Sequence, residues 1–243
     1  MISIVMPTFG QSKYINEAVG SIYRQTFKDW ELVIVVDGHD PDTLFKASAW
    51  GTVDPERIFV VQKEQGGTGS ALNYGFHLVK GEYETWNASD NIMYPKYLEK
   101  LKSFLDQHQV IDYVYSNCDI GVMDASGLIE TQRKLLTDEV GSQVWNRKRT
   151  LDWYYFGICW LWRRELRLKC GKFQEEPCED YDMVLRMQEE GEFGSIPDIL
   201  GWFRRHSENM THRISRENPD PHYFSRVVQA KARARRPDIY GAA

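Results

Sequence analysis

The stretch Glu31-Leu32-Val33-Ile34-Val35-Val36-Asp37-Gly38 sets the reading of the whole chain. Leu32 to Val36 is apolar at every position, without the alternation of a half-exposed strand. Such a run belongs to a strand covered on both faces, as in a parallel sheet flanked by helices. Asp37-Gly38 stops it. Upstream, Ile2 to Met6 is a second β-branched run that halts at Pro7. Between the two, Tyr14, Ala18 and Ile22, with Ile15, Val19 and Tyr23, recur every fourth residue and predict a helix that Ser12 can cap.

The alternation continues downstream. A Pro41-led helix precedes a strand over Ile58 to Val61. Gly66-Gly67 opens a helix carrying Ala71, Leu72, Phe76 and Val79, and Gly81 stops it. Tyr83 to Ala88 reads as a fourth strand, Pro95 as the start of another helix, and Asp112 to Cys118 as a fifth strand. This spacing predicts an α/β fold with a mostly parallel central sheet and right-handed crossovers. In such sheets ligands bind beyond the carboxyl ends of the strands. Those ends carry Pro7-Thr8, Asp37, Gln65-Gly66-Gly67 and Ser89-Asp90.

After residue 120 the pattern changes. Asp124-Ala125-Ser126-Gly127 predicts a hairpin turn. An aromatic, basic stretch from Trp145 to Arg164 follows, then a helical pattern from Cys178 to Gly191 and an apolar segment from Ile196 to Phe203. From Arg216 the chain is polar, with Arg226, Lys231, Arg233, Arg235 and Arg236 close together. These cations suit an anionic acceptor, a solvated helix face or a contact between subunits. The expected organisation is one domain over residues 1–215 and a basic extension over 216–243.

Composition removes several classes. The 30 basic and 35 acidic side chains among 243 residues leave a net charge of −5, which disfavours general nucleic-acid binding. Apolar runs fall far short of the ~18–20 residues a membrane helix requires, and no charged-then-apolar leader opens the chain. Cys118, Cys159, Cys170 and Cys178 form no CxxC pair, so reduced thiols and a cytoplasmic location are expected.

Individual residues carry both bland and chemical readings. Asp37 suits an Asp-Gly turn or a carboxylate accepting hydrogen bonds from a base or ribose. The entrance Gly66-Gly67-Thr68-Gly69-Ser70 lacks the third glycine of a dinucleotide fingerprint, since Leu72 stands there, but free N–H groups at a helix start attract phosphate. Asp90, in Ser89-Asp90-Asn91, either caps a helix or holds a divalent cation bound mainly by diphosphate and water. His206 is an ordinary histidine or completes a metal site. Trp145, Trp153, Trp160 and Trp162 are core residues or stack on a sugar or base. On the helix after Cys178, Tyr181, Met183, Val184, Leu185 and Met187 form an apolar arc that includes Asp180. Glu179, Asp182, Arg186 and Glu189 fall on the opposite side, with Asp182 and Arg186 spaced to pair. Burying an unpaired charge is costly, so Asp180 needs a partner or a task, unless it caps the helix.

Taken in order, these residues resemble the family 2 glycosyltransferases, inverting enzymes of the GT-A fold. Ile2-Ser3-Ile4-Val5-Met6-Pro7-Thr8-Phe9 is similar to that family's first strand, and Ser21 through Gly38 to its first helix and second strand. Gly81-Glu82-Tyr83 leads to Asp90 as the family leads to its Asp-x-Asp motif. Gly171-Lys172-Phe173, Glu179-Asp180-Tyr181-Asp182 and Leu185-Arg186 resemble its later Glu-Asp segment, and Phe203-Arg204-Arg205-His206 its closing metal-ligand position. The resemblance implies a nucleotide-binding half over 1–118 and a smaller mixed acceptor and catalytic half over 119–215. It implies a nucleoside-diphosphate sugar of UDP type as donor and a carbohydrate or other hydroxyl as acceptor. Pro7, Thr8, Asp37, Gly67, Ser89, Asp90 and Glu179 would contact the nucleotide sugar. Asp90, joined by His206, would hold Mg2+ or Mn2+, and Asp180 would be the base. Two positions depart from the pattern: Ala88-Ser89-Asp90 lacks the first carboxylate, and Leu72 stands where the family often has arginine. A nucleotidyltransferase, or a catalytically weakened sugar-nucleotide binder on the same fold, are the competing readings. A homo-oligomer is also expected.

Overall fold

A computed structural model describes residues 1–124, 127–134, 147–152, 157–209, 220 and 222–241. The N-terminal half runs β1 (Ile2–Thr8), α1 (Ile15–Tyr23), β2 (Trp30–Asp37), α2 (Pro41–Val53), β3 (Ile58–Lys63), α3 (Gly67–Leu78) and β4 (Tyr83–Trp86). These four strands are parallel and ordered β3-β2-β1-β4. Chain order therefore reverses at β1, with β2 on one side and β4 on the other.

The period-2 pleat sends alternate side chains to two apolar layers. Ile2, Ile4, Met6, Leu32 and Ile34 pack with Ile15, Val19, Ile22 and Leu98 on one face. Val5, Val33 and Val35 pack with Ala71, Leu72 and Phe76 of α3 on the other. Both faces of β2 are thus covered, which is why its sequence has no polar alternation. At Gly75 of α3 an added Cβ would sit 2.4 Å from Val5 Cγ1, so glycine lets this helix lie directly on β1.

The remaining elements are β5 (Ile92–Met93), α4 (Tyr97–Gln107), β6 (Tyr113–Asp124), β7 (Gly127–Lys134), α5 (Arg147–Asp152), β8 (Trp160–Arg163), α6 (Arg164–Cys170), α7 (Glu179–Glu190), β9 (Phe193–Arg205), α8 (Tyr223–Arg235) and α9 (Pro237–Tyr240). They extend the sheet as β4-β8-β6-β9-β5, with β7 also on β6. Pairing here is mixed: β8 is antiparallel to β4 and β6, whereas β6 and β9 are parallel.

Several boundaries differ from expectation. Ser12 does not cap α1; that helix begins after Tyr14 with no side-chain cap, while Ser12 O accepts from Lys46 Nζ. β4 ends at Trp86, not Ala88. Pro95 lies before α4, where its carbonyl accepts Thr26 N–H at 2.9 Å. β6 and β7 pair antiparallel down to Asp124 and Gly127, and residues 125 and 126 of the expected turn lie outside the described residues, as do Trp145 and Trp153. Trp160 and Trp162 are buried on β8.

The largest correction concerns α7. Glu179 and Asp182 are each 4% exposed, not solvated. The helix is enclosed by α3, α5, α6 and α8, so its anionic side has no open face. Asp182 pairs with Arg186 at 2.6 Å, as spaced, and also meets Arg235 of α8 at 3.6 Å. Tyr181 and Leu185 form a small core with Val228, Ala232 and Tyr240 from the C-terminal segment.

Candidate active site

The carboxyl ends of β1, β2 and β4 surround a cavity of about 360 Å³ at the point where strand order reverses. Pro7, Thr8, Phe9 and Gln11 line it from the β1 side, Asp37 from β2, and Gly67, Thr68 and Ala71 from α3. Trp86, Ala88, Ser89 and Asp90 line it from the β4 side, and Pro177 and Glu208 from later segments. Thr8 Oγ1 and Gln11 Oε1 are buried and have no hydrogen-bond partner among the described residues. Buried polar atoms are ordinarily satisfied, so a ligand with complementary groups fits here.

Asp37 is 5% exposed and is held from two sides. Oδ1 pairs with Lys63 Nζ at 2.9 Å and accepts from Gly66 N at 3.0 Å, while Oδ2 accepts from Gly67 N at 2.7 Å. The carboxylate caps α3, where an anion is favoured by the helix dipole. The N–H groups of Gly66 and Gly67, expected to be free for phosphate, are thus engaged by Asp37. Leu72, at the position of the family's arginine, is fully buried in the core and does not line the cavity.

Asp90 sits in the turn after β4, where Asn91 N–H donates to Ala88 O at 3.1 Å. Its Oδ2 accepts from His206 Nε2 at 3.1 Å and from Asn209 Nδ2 at 3.2 Å. Glu208 N–H donates to His206 Nδ1 at 3.2 Å, which leaves the ring proton on Nε2 and makes that nitrogen the donor to Asp90. Buried Arg204 ties the end of β9 to the same turn. Its Nε donates to Asp90 O at 3.0 Å, and its guanidinium lies 4.5 Å from the Tyr14 ring and pairs with Glu17.

Asp90 Oδ1 accepts no hydrogen bond from the described residues, and Asp90 lines the cavity. One open carboxylate oxygen suits Mg2+ or Mn2+, cations that take many ligands from phosphate and water. His206, expected as a metal ligand, here has Nε2 donating to Asp90 and Nδ1 accepting from Glu208, and so orients the carboxylate instead. Among the described residues no cluster of three or more His, Cys, Asp or Glu could hold a metal unaided. The residues present fit a cation shared with a diphosphate.

Asp180 stands in the first turn of α7, where Tyr181 N–H donates to its Oδ1 at 2.8 Å. It is half-buried and borders a second cavity of about 10 Å³ with Trp86, Tyr113, Trp160 and Trp162. Trp86, the last residue of β4, lines both the larger cavity and the small one beside Asp180. Glu179 does not line the larger cavity. Burial and the adjacent Asp180 carboxylate push its carboxyl up to about 8. Cys178, just before it, has φ 67° and is the only non-glycine residue in the left-handed region among those described. This turn delivers Pro177 to the cavity and Asp180 to the helix.

Sequence reasoning did not foresee Gln11, Trp86, Arg204 or Asn209. Arg204 adjoins the predicted His206, but its role depends on Asp90, 114 residues earlier.

The chain resembles known proteins along most of its length. An uncharacterized glycosyltransferase of Rickettsia conorii is 36% identical over 227 residues, which cover 90% of this chain and 36% of the relative. Another, from Rickettsia typhi, is 37% identical over 116 residues, covering 46% of this chain and 35% of the relative. The chain thus spans about a third of the length of these relatives. Among solved structures, residues 1–349 of S. aureus TarS superpose with a TM-score of 0.71 at 18% identity, covering 95% of this chain and 64% of TarS 1–349. The mannosyltransferase PcManGT of Pyrobaculum calidifontis, solved with GDP-Man and Mn2+, gives 0.62 at 15% identity, covering 98% and 75%. The fold is therefore the expected GT-A type. Glycosyl transferase family 2 matches residues 3–167, well over half of the sequence and all four strands around the cavity; the chain belongs to that family.

Proposed function

We propose that this chain transfers a sugar from a nucleoside-diphosphate sugar, of UDP type, to an acceptor hydroxyl with inversion at the anomeric carbon. The observation that carries this reading is the cavity at the β1/β4 reversal, lined by Asp90, which His206 holds, and by Trp86, which also lines the small cavity beside Asp180. S. aureus TarS, of the same fold, has been solved with UDP-GlcNAc.

In this reading Pro7, Thr8, Asp37, Gly67 and Ser89 surround the nucleotide, and Glu179 sits behind the sugar next to the base. Asp180 accepts the proton of the acceptor hydroxyl as its oxygen attacks the anomeric carbon and the bond to the diphosphate breaks. One displacement inverts the configuration. Among the described residues lining the cavity none is cationic, whereas Asp37, Asp90 and Glu208 are acidic. A divalent ion held by Asp90, whose carboxylate His206 orients, would supply the positive charge that the departing diphosphate needs. The acceptor is a carbohydrate or another hydroxyl compound.

Among the described residues no helix is long and apolar enough to cross a membrane. Much of the basic C-terminal segment is engaged internally: Arg226 with Asp220, Lys231 with Gln174, Arg235 with Glu189, and Arg236 with Asp238. These pairs favour a packing role over capture of an anionic acceptor.

The decisive experiment is thermal unfolding against UDP, UDP-GlcNAc, UDP-glucose and GDP-mannose, each with Mn2+ and with EDTA. A UDP-sugar that stabilises the chain only with Mn2+, and is slowly hydrolysed by wild type but not by Asp180→Asn, supports transfer. Stabilisation without any hydrolysis indicates a binder.

A further inference from the structure

Trp160 is 3% exposed on β8, and its indole Nε1 has no hydrogen-bond partner among the described residues. Indole nitrogen is a donor only, and a buried donor ordinarily finds an acceptor. The residue is not loosely held. Its backbone N–H donates to Tyr97 Oη at 2.9 Å, and its carbonyl accepts from Thr85 Oγ1 and Tyr97 Oη, each at 2.7 Å. Its ring packs on Trp86 with centroids 5.7 Å apart. The sheet therefore fixes where this indole sits.

Trp160 lines the cavity of about 10 Å³ that Asp180 also lines. A space of about 10–15 Å³ admits one water, provided two or more polar groups hold it. Phe173, Met183, Val184 and Met187 contribute no strong hydrogen-bonding group, while Tyr113 brings one further buried hydroxyl that feels the Asp180 charge. Trp162 Nε1 is already directed to Glu84 Oε2 at 3.3 Å. The Trp160 N–H is a donor in need of an acceptor, and the Asp180 carboxylate is an acceptor on the same small space.

We infer that Trp160 is a positioning residue for Asp180: the indole N–H and the carboxylate hold one water molecule between them. The water accepts from Trp160 Nε1 and donates to Asp180, which restrains the carboxylate in one orientation. This inference rests on the reading of Asp180 as the base.

The test has a structural and a kinetic arm. A high-resolution crystal structure of the wild-type chain shows one ordered water within hydrogen-bond distance of both Trp160 Nε1 and an Asp180 oxygen. In hydrolysis of UDP-GlcNAc with Mn2+, Trp160→Phe keeps a ring but removes the donor. Turnover falls about tenfold, the scale of one hydrogen bond to a charged group, while KM for UDP-GlcNAc stays within about twofold. Trp160→His, which restores a ring N–H, recovers part of the loss. A cavity without water, wild-type turnover in Trp160→Phe, or equal losses in the Phe and His variants would overturn the inference. If Trp160→Phe does not fold, the crystallographic arm decides. Asp180→Asn separates the two layers of argument. If it is inert while Trp160→Phe is normal, only the positioning role fails; if it keeps full turnover, the base assignment fails.

Discussion

His206 Nε2 lies 3.1 Å from Asp90 Oδ2, joining the end of β9 to the turn after β4 across 116 residues of sequence. Asn209 reinforces the contact, donating to the same carboxylate oxygen and to Arg204 O. One carboxylate oxygen is thus fixed by the protein while the other accepts no hydrogen bond from the described residues. Such a carboxylate is preorganised for an outside partner.

Asp90→Asn tests that partner. The amide can still accept from His206, so the turn should persist and the unfolding temperature without ligand should change by little. The Mn2+-dependent stabilisation by UDP should disappear, because an amide oxygen is a far weaker ligand for a hard cation. Calorimetric titration of UDP in Mn2+ gives the measurement; affinity equal to wild type would remove Asp90 from the metal site. Treating wild type with EDTA should reproduce the variant, since no cationic side chain among the described lining residues can replace the ion.

The Asp37–Lys63 pair makes a prediction about stability. Asp37→Asn removes the charge from a carboxylate that receives two backbone N–H groups and an ammonium, all in a largely buried setting. A loss of about 1–3 kcal/mol is expected from denaturant unfolding. Lys63→Met should cost less alone. The double variant should cost less than the sum of the two, because each single change leaves the other group buried without its opposite charge.

The fold was legible wherever local pattern and tertiary burial agree. β2 is covered on both faces, and its unbroken apolar run announces that. Asp180 does share a small cavity with Met183, Val184 and Met187 of its apolar arc, but it is the most exposed of the three carboxylates. The helical wheel misplaced Glu179 and Asp182, because it assumes one solvent face, and α8 occupies that face here with Arg235 meeting Asp182. β5 is two residues long, too short to show a period. Arg204 and Asn209 were illegible for a different reason: their partners are on the Asp90 turn, and nothing in a local window encodes a contact more than a hundred residues away.

Glu179 sets a pH dependence. Its carboxyl is raised from 4.5 to about 8 by burial and by the neighbouring Asp180. Between those values the folded chain holds a proton that the unfolded chain has released. Stability from this group is therefore fully present below the unfolded pKa and is lost as pH rises toward 8, at up to about 1.4 kcal/mol per pH unit. Glu179→Gln, which is neutral at every pH, should flatten that slope and unfold at higher temperature than wild type above pH 8. Denaturant midpoints from pH 5 to about 9 check this; parallel curves would show that Glu179 does not titrate in that window.

Arg235 links α8 to α7 through Glu189, at 3.0 and 3.1 Å, and more loosely through Asp182 at 3.6 Å. Its side chain is about one-third exposed, so solvent screening limits the pair. Arg235→Ala should cost only about 1 kcal/mol, read from denaturant unfolding, and the cost should shrink at high salt. Deleting residues 222–243 should do far more. It uncovers Tyr181 and Leu185 and removes the hydrogen bond from Gln188 Nε2 to Tyr240 Oη at 2.7 Å. The helix that carries Asp180 depends on this segment for one of its packed faces.

Gly69 connects α3 to that same region. A Cβ at position 69 would lie 1.9 Å from Gln174 O, so an alanine must push the backbone of residues 173–175 away. That loop is tied to α3 by paired hydrogen bonds between Asn73 and Phe173, at 2.8 and 2.9 Å, and runs on to Pro177 on the cavity wall. Gly69→Ala should therefore destabilise the chain by about 1–3 kcal/mol, an overpacking cost, and also weaken UDP binding, because the displaced loop carries Pro177 with it. Gly51→Ala is the matched control. It too is helical, but its added Cβ meets only ordinary contacts at 3.5 Å, so the better helix former should be neutral or stabilise by up to about 1 kcal/mol. Calorimetric UDP titrations and denaturant midpoints of the two variants decide the matter. If Gly69→Ala is as stable as Gly51→Ala and binds UDP as wild type does, the close approach of α3 to the 173–175 backbone does not shape the cavity.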